Sequence, residues 1–334
     1  MGSMPGTDPA EAMAVVLGEL PDLPYLPELP ARGPGADLIG RTAALLVDMP
    51  VETTAGGWRL AARPGRDLRR AAGLMSADLD AMEDAAQGYR GSFKIQICGP
   101  WTLAATLECS RSVEPALADP GAAADLFASL AEGVAAHVAA VRRRLPGATV
   151  LVQFDEPALP GVLAGSVPTA SGLRRLPAVD ASVAADTLRR VLTSAQAPTQ
   201  VHCCASEVPF SCLTRSGTGA VAFDLSLVRR QDEDAIGEAA ESGLGLFAGA
   251  VPALQAPGRG AGPAGAEAAA IQTAEAVIGL WLRIGLPPGR LTGQLVVTPA
   301  CGLAGASPTR ARSVLAQCRT AARMIPELIE EGIR

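Results

Sequence analysis

The chain has 334 residues, 49% hydrophobic and 19% charged, which is enough apolar mass for a sizeable core and excludes a disordered or fibrous protein. Its formal charge is -6, and the 28 basic residues, of which only Lys94 is a lysine, form no basic stripe of the kind that binds nucleic acid. No uninterrupted apolar run reaches the roughly 18 residues of a membrane span and no signal-like region opens the chain, so the expectation is a cytoplasmic protein that engages neither membrane nor nucleic acid.

In chain order, Asp8-Pro9 reads as the N-cap and first turn of a helix. The proline-rich stretch 21–35, PDLPYLPELPARGPG, cannot be helical through its length. Short apolar runs at 93–98, 150–154, 200–202, 221–223, 244–247 and 295–297 predict strands. Between them lie helical patterns. One starts at Asp119-Pro120 and runs through Leu126, Leu130, Val134, Val138 and Val141 to a basic end at 142–144; another starts at Ser307-Pro308 and carries Ala311, Val314, Leu315, Cys318, Ala322 and Ile325. This βαβα rhythm, with no linker or charge shift, predicts an α/β chain with one domain over 1–334, a closed (β/α)₈ TIM barrel rather than two doubly wound halves. The Gly/Pro/Ala-rich segment 256–265 falls where an active-site loop belongs. Its G-x-G-x-x-G at 260–265 follows no strand directly and has no acid about twenty residues on, so it is not a dinucleotide fingerprint.

Seven cysteines stand beside two histidines. In the run Val201-His202-Cys203-Cys204, strand alternation points His202 and Cys204 one way and Cys203 the other. Imidazole and thiolate together suit zinc. Cys301, at the end of another expected strand, is the third candidate ligand, because a parallel barrel gathers all strand C-termini on one face. Asp224, also at a strand end, is either a fourth ligand or a loop cap. Asp155 and Glu156 follow a buried-type strand, where carboxylates need donors, a cation or an amine-bearing substrate. Trp101, in Gly99-Pro100-Trp101-Thr102, either covers a substrate or closes the barrel rim. Cys98, Cys109, Cys203, Cys212, Cys318 and His137 read as packed residues.

His202-x-Cys204, Gln153-x-Asp155-Glu156-Pro157-Ala158, Pro299-x-Cys301-Gly302-Leu303 and Gly2-Ser3-x-Pro5 occur in the order found in the catalytic domain of cobalamin-independent methionine synthase, which the chain resembles over nearly its whole length. The run Gly-Pro-Trp-Thr-Leu at 99–103 also resembles uroporphyrinogen decarboxylase, of the same barrel superfamily. The first resemblance implies zinc on His202, Cys204, Cys301 and, in place of the family's glutamate, Asp224. It implies homocysteine held by Ser3 and Asp155, with Glu156 beside them. Trp101 is expected among the substrate-binding residues, and Asp155 and Glu156 are expected as catalytic carboxylates. It also implies a first strand that starts late, and methyl transfer to a small-molecule thiol from a folate or a methyl-corrinoid protein. No histidine matches the family's proton donor in 247–252, and Glu28 is the nearest carboxylate to the family's acid near the second strand. A porphyrinogen decarboxylase and a non-catalytic zinc- or thiol-binding paralogue are the alternatives.

Overall fold

A computed structural model describes residues 2–254 and 263–332. The helices are α1 (Pro9–Glu19), α2 (Leu38–Ala43), α3 (Arg66–Ala85), α4 (Pro100–Thr106), α5 (Pro120–Arg144), α6 (Leu159–Leu163), α7 (Ala181–Ser194), α8 (Phe210–Arg215), α9 (Glu233–Glu241), α10 (Pro263–Arg283), α11 (Pro288–Gln294) and α12 (Pro308–Glu330). The strands are β1 (Val51–Thr54), β2 (Gly57–Leu60), β3 (Gly91–Cys98), β4 (Ala148–Asp155), β5 (Thr199–Cys203), β6 (Ala220–Asp224), β7 (Gly245–Val251) and β8 (Leu295–Pro299).

Three helices begin where their caps say they should. Asp8 accepts from the amides of Ala10 and Glu11, Asp119 from those of Gly121 and Ala122, and Ser307 from that of Arg310, with proline in the first turn each time. All six strands expected from the apolar runs are present and pair in parallel in chain order, β3 to β8, as a curled sheet with helices between consecutive strands. On each strand one set of alternate residues packs under the helices: Phe93, Ile95 and Ile97 on β3, Val150, Val152 and Phe154 on β4, Val201 on β5, Val221 and Phe223 on β6. The other set faces the interior, where Phe247 packs with Ala220 and Ala222. By length and composition α5 could cross a membrane, but its Leu126, Leu130, Val134, Val138 and Val141 are all buried in the core.

The expectation of a closed (β/α)₈ barrel with a late-starting first strand is met only in part. Among the described residues the parallel sheet has six, and the first two barrel positions are held by extended pieces joined through the single bridges Ser3↔Glu28 and Tyr25↔Lys94. Four backbone hydrogen bonds secure them: Met4 to Glu28 (2.8 Å), Glu28 to Gly2 (3.0 Å), Leu26 to Lys94 and Lys94 to Pro24 (both 2.9 Å). Pro24 and Pro27 have no N–H to donate, so no continuous ladder can form along that piece. The amide of Leu303 donates to the Ser3 carbonyl (2.9 Å) and ties the first piece to the loop after β8. The hairpin β1–β2 adds a feature that the sequence reading did not anticipate. The expected loop at 256–265, with its glycine motif, lies mostly outside the described residues.

Candidate metal and thiol site

Parallel register brings the chemistry together. Asp155 and His202 are direct partners across β4 and β5, so their side chains leave the sheet on the same side. Asp155 Oδ1 lies 2.5 Å from His202 Nδ1. The same oxygen accepts from Gln153 Nε2 at 2.7 Å. Burial acts to raise the Asp155 carboxyl, but the hydrogen bond from His202 leads the effects that hold it below its ordinary value. A carboxylate on Nδ1 selects the tautomer with its proton there and leaves the Nε2 lone pair outward. That Nε2 is buried without a hydrogen-bond partner.

Beyond the end of β5, Cys203 turns into the core while Cys204 turns to the site, as alternation requires. Cys301 arrives from the loop after β8, and its Sγ lies 3.7 Å from Cys204 Sγ. The two thiols share a proton unequally. The hydrogen bond between the two thiols, against the effect of burial and with help from the Gly302 amide and His202, lowers Cys301, and the same bond raises Cys204. The pair therefore favours thiolate on Cys301 and thiol on Cys204.

The Pro-x-Cys-Gly-Leu motif has a local reason for its glycine. A Cβ on Gly302 would collide with the Ser3 hydroxyl, so Ser3 sits against the residue that follows Cys301. Asp224 and Cys301 both line a cavity of about 620 Å³ at this end of the strands, together with Ser226, Gly249 and Gly302. Asp224 itself acts as a cap: its Oδ1 accepts from the amide (2.8 Å) and hydroxyl (2.6 Å) of Ser226. Among the described residues no group of three or more His, Cys, Asp or Glu side chains is placed to hold a metal ion. The donor set nevertheless suits a thiophilic ion in its chemistry: two sulfurs in contact, and an oriented imidazole with a buried, unpaired nitrogen.

Two of the expected site residues point away from the thiols. Glu156 does not enter the site. It is fully buried on the far side of its strand, its Oε1 accepting from the Trp101 amide (2.9 Å) and its Oε2 from the Thr102 amide and hydroxyl (both 2.7 Å). Burial raises its carboxyl to about 7 against these hydrogen bonds. A Cβ on Gly99 would strike that carboxylate, which is why a glycine opens the Gly-Pro-Trp-Thr turn. Trp101 is buried, donates from Nε1 to the Ala184 carbonyl of α7 (3.1 Å) and packs edge-on against Phe127, so its indole faces the helices and not a substrate.

The sequence reading missed the polar residues behind the site. Gln153 Oε1 accepts from Lys94 Nζ (3.0 Å) and Gln200 Nε2 (2.7 Å), and Lys94 also donates to Gln96 Oε1 (3.1 Å). Lys94, Gln96, Gln153 and Gln200 are all buried. Their signal in the sequence is a polar side chain at every second position of strands that otherwise read as buried. Glu28, beside Ser3 in the first bridge, is raised to about 7 by burial, opposed by Arg41, whose Nε lies 3.5 Å away.

A family model described as the catalytic domain of cobalamin-independent synthase matches residues 116–324. The chain belongs to this family. The matched stretch of the cobalamin-independent synthase domain contains Asp155, Glu156, His202, Cys204, Asp224 and Cys301, whereas Ser3 and Trp101 lie before it. Among solved structures, a B12-independent methionine synthase from Shewanella sp. W3-18-1, determined in complex with selenomethionine, is 14% identical with a TM-score of 0.51, covering 76% of this chain and 67% of that one. A methyltransferase from Methanosarcina mazei is 13% identical with a TM-score of 0.56, covering 94% and 86%. At such identities these likenesses concern the fold. Among curated proteins no sequence matches.

Proposed function

We propose that the protein is a methyltransferase of the methionine synthase type, with homocysteine as the methyl acceptor and a zinc ion held by His202, Cys204 and Cys301. The observation that carries this reading is the meeting of Cys204 and Cys301, 97 residues apart in sequence, at 3.7 Å, with Cys204 following the strand that carries the Asp155-oriented His202. Bound zinc supplies positive charge that keeps an acceptor thiol deprotonated at neutral pH. Three protein donors leave one position for that thiol. In this proposal Asp224, held by Ser226, forms cavity wall rather than a fourth ligand.

The chain's own groups account for orientation. Ser3 offers a hydroxyl next to Gly302, and Asp155 and Glu28 offer carboxyl groups for the acceptor's ammonium. The cavity beside Cys301 gives the methyl donor a place to approach the sulfur. The family's independence of cobalamin favours a methylfolate as donor over a methyl-corrinoid protein.

Purified protein is expected to hold about one zinc per chain, reduced to trace in His202→Ala and in Cys204→Ala, and to form methionine from homocysteine and methyltetrahydrofolate. Absence of zinc from freshly purified wild type would overturn the metal assignment. Zinc retained with no methionine from any donor would favour a non-catalytic paralogue.

A further inference from the structure

Lys94 is the one lysine among the 28 basic residues of the chain, and the methyl-transfer chemistry proposed above makes no direct use of it. It lies on β3 between Phe93 and Ile95, which pack under the helices, so alternation turns it into the barrel, where it is 5% exposed. Its ammonium donates to Gln96 Oε1 (3.1 Å) and Gln153 Oε1 (3.0 Å) and stands 5.0 Å from the centre of the Tyr25 ring. Holding an ammonium out of water is costly, so a buried lysine calls for a reason. Three hydrogen bonds in series connect it to the imidazole of the site: Lys94 Nζ to Gln153 Oε1, Gln153 Nε2 to Asp155 Oδ1 (2.7 Å), and that same oxygen to His202 Nδ1 (2.5 Å).

The two glutamines in this series are reversible, because a carboxamide can present either its oxygen or its N–H groups to a neighbour. Gln200 Nε2 donates to Gln153 Oε1 at 2.7 Å, while Gln200 Oε1 is buried without a hydrogen-bond partner. Both amides could therefore turn over together: Gln200 Oε1 would accept from Gln153 Nε2, and the bond between them would survive. Gln153 would then set its oxygen against Asp155 Oδ1. A proton on that carboxyl group, or its rotation, would relieve the repulsion, and either change takes a charged, aligned acceptor from His202. An ammonium cannot reverse, because it only donates. With Lys94 in place the turned arrangement also drives Gln153 N–H groups against the ammonium, where no proton or rotation of the carboxyl group relieves it.

We propose that Lys94 is a positioning residue for the metal site, a donor-only anchor that holds the Gln153 amide in the orientation that gives Asp155 a donor and keeps Asp155 on His202. The consequence for zinc rests on the metal assignment made above. The consequence for the imidazole does not, and can be read in the metal-free chain.

The chain has two histidines, so a His137→Leu background leaves His202 as the only imidazole in a long-range ¹H–¹⁵N spectrum. The metal-free protein in that background is expected to show the Nδ1–H tautomer, its proton shifted downfield by the carboxylate. Adding Lys94→Met, an uncharged chain of similar length, should remove the downfield signal and give mixed tautomers. Zinc affinity, measured by competition with a chelator, should fall by about tenfold in Lys94→Met. It should fall no further when Lys94→Met is added to Asp155→Asn, because Lys94 acts through that carboxylate. An unaltered His202 spectrum in Lys94→Met, or an equal loss of zinc affinity with and without Asp155→Asn, would each overturn the proposal. Should Lys94→Met fail to fold, Gln153→Leu cuts the same link and leaves the lysine; an unaltered His202 spectrum there also overturns it. A chain that takes up no zinc, yet whose His202 spectrum responds to Lys94→Met, would refute the metal assignment and support the positioning role.

Discussion

Asp78→Asn is expected to loosen the part of the barrel that has the fewest backbone hydrogen bonds. Asp78, on α3 and 1% exposed, receives Arg41 Nη1 from α2 and Arg32 Nη2 at 2.8 Å. Arg41 is equally buried, and its other anionic neighbour is Glu28 at 3.5 Å, in the piece whose bridges stand in for a strand. The amide keeps the shape of the carboxylate and removes its charge, leaving the buried Arg41 guanidinium with Glu28, at 3.5 Å, as its one remaining anionic neighbour among the described residues. Breaking a buried pair in this way costs about 3–5 kcal/mol. With an unfolding entropy of roughly 2.1 cal/mol/K per residue, a chain of 334 residues loses about 0.7 kcal/mol per degree at the midpoint, so about 4 kcal/mol lowers Tm by about 6 °C. Scanning calorimetry measures that drop. Hydrogen exchange should locate it, with faster exchange at the amides of Met4, Leu26 and Glu28. The double variant Arg41→Met with Asp78→Leu removes the central pair, and although it takes a partner from Arg32 and Glu28 it should cost less than the single change, because no fully buried arginine is left facing a lost carboxylate. A Tm drop below about 2 °C, or a double variant less stable than Asp78→Asn, would refute the role given to this cluster.

Three further outcomes follow from the geometry. Asp155→Asn should weaken zinc binding by about 10- to 100-fold, because the imidazole loses its orienting carboxylate; competition with a chromogenic chelator measures it, and unchanged affinity would remove Asp155 from the metal support. Gly302→Ala should push Ser3 off the loop that carries Cys301 and slow methionine formation by about 10- to 100-fold with the circular dichroism spectrum retained; wild-type turnover would show that Ser3 positions nothing. Burial, reinforced by the charges of Arg41 and Arg144, lowers His137 from 6.5 to about 4, so it is neutral in the fold, and as pH falls from 6.5 to about 4 the unfolded chain gains a proton that the fold does not. Stability is therefore lost across that window, by about 3 kcal/mol for this group. His137→Leu should flatten the decline in urea unfolding between pH 7 and pH 4, and an equal decline would place the titration elsewhere.

Much of the fold could be read from local signals. The caps Asp8, Asp119 and Ser307 act within a turn of their helices, and six apolar runs became six strands because each is buried on at least one face. The first two barrel positions were less legible: what decides them is the absence of proline N–H groups along 24–30, which ends a ladder without ending the extended chain. The hairpin β1–β2 escaped because its strands are four residues each and only partly buried. In the site, alternation correctly separated Cys204 from Cys203. The same rule applied to Asp155 and Glu156 would have sent one into the barrel and the other under the helices, which is what the structure does.

Asp155 fixes the polarity of everything hydrogen-bonded to it. Toward the C-terminal end of the strands, its charge holds the proton of His202 on Nδ1 and leaves Nε2 as a donor atom for metal. Toward the N-terminal end, it draws the Gln153 amide N–H upward, so Lys94 and Gln200 must both donate to Gln153 Oε1. A neutral interior of alanine and valine would fill the same space without that directional constraint. A lysine and three glutamines buried at alternate strand positions make sense as the support that keeps one carboxylate charged and oriented where β4 meets β5.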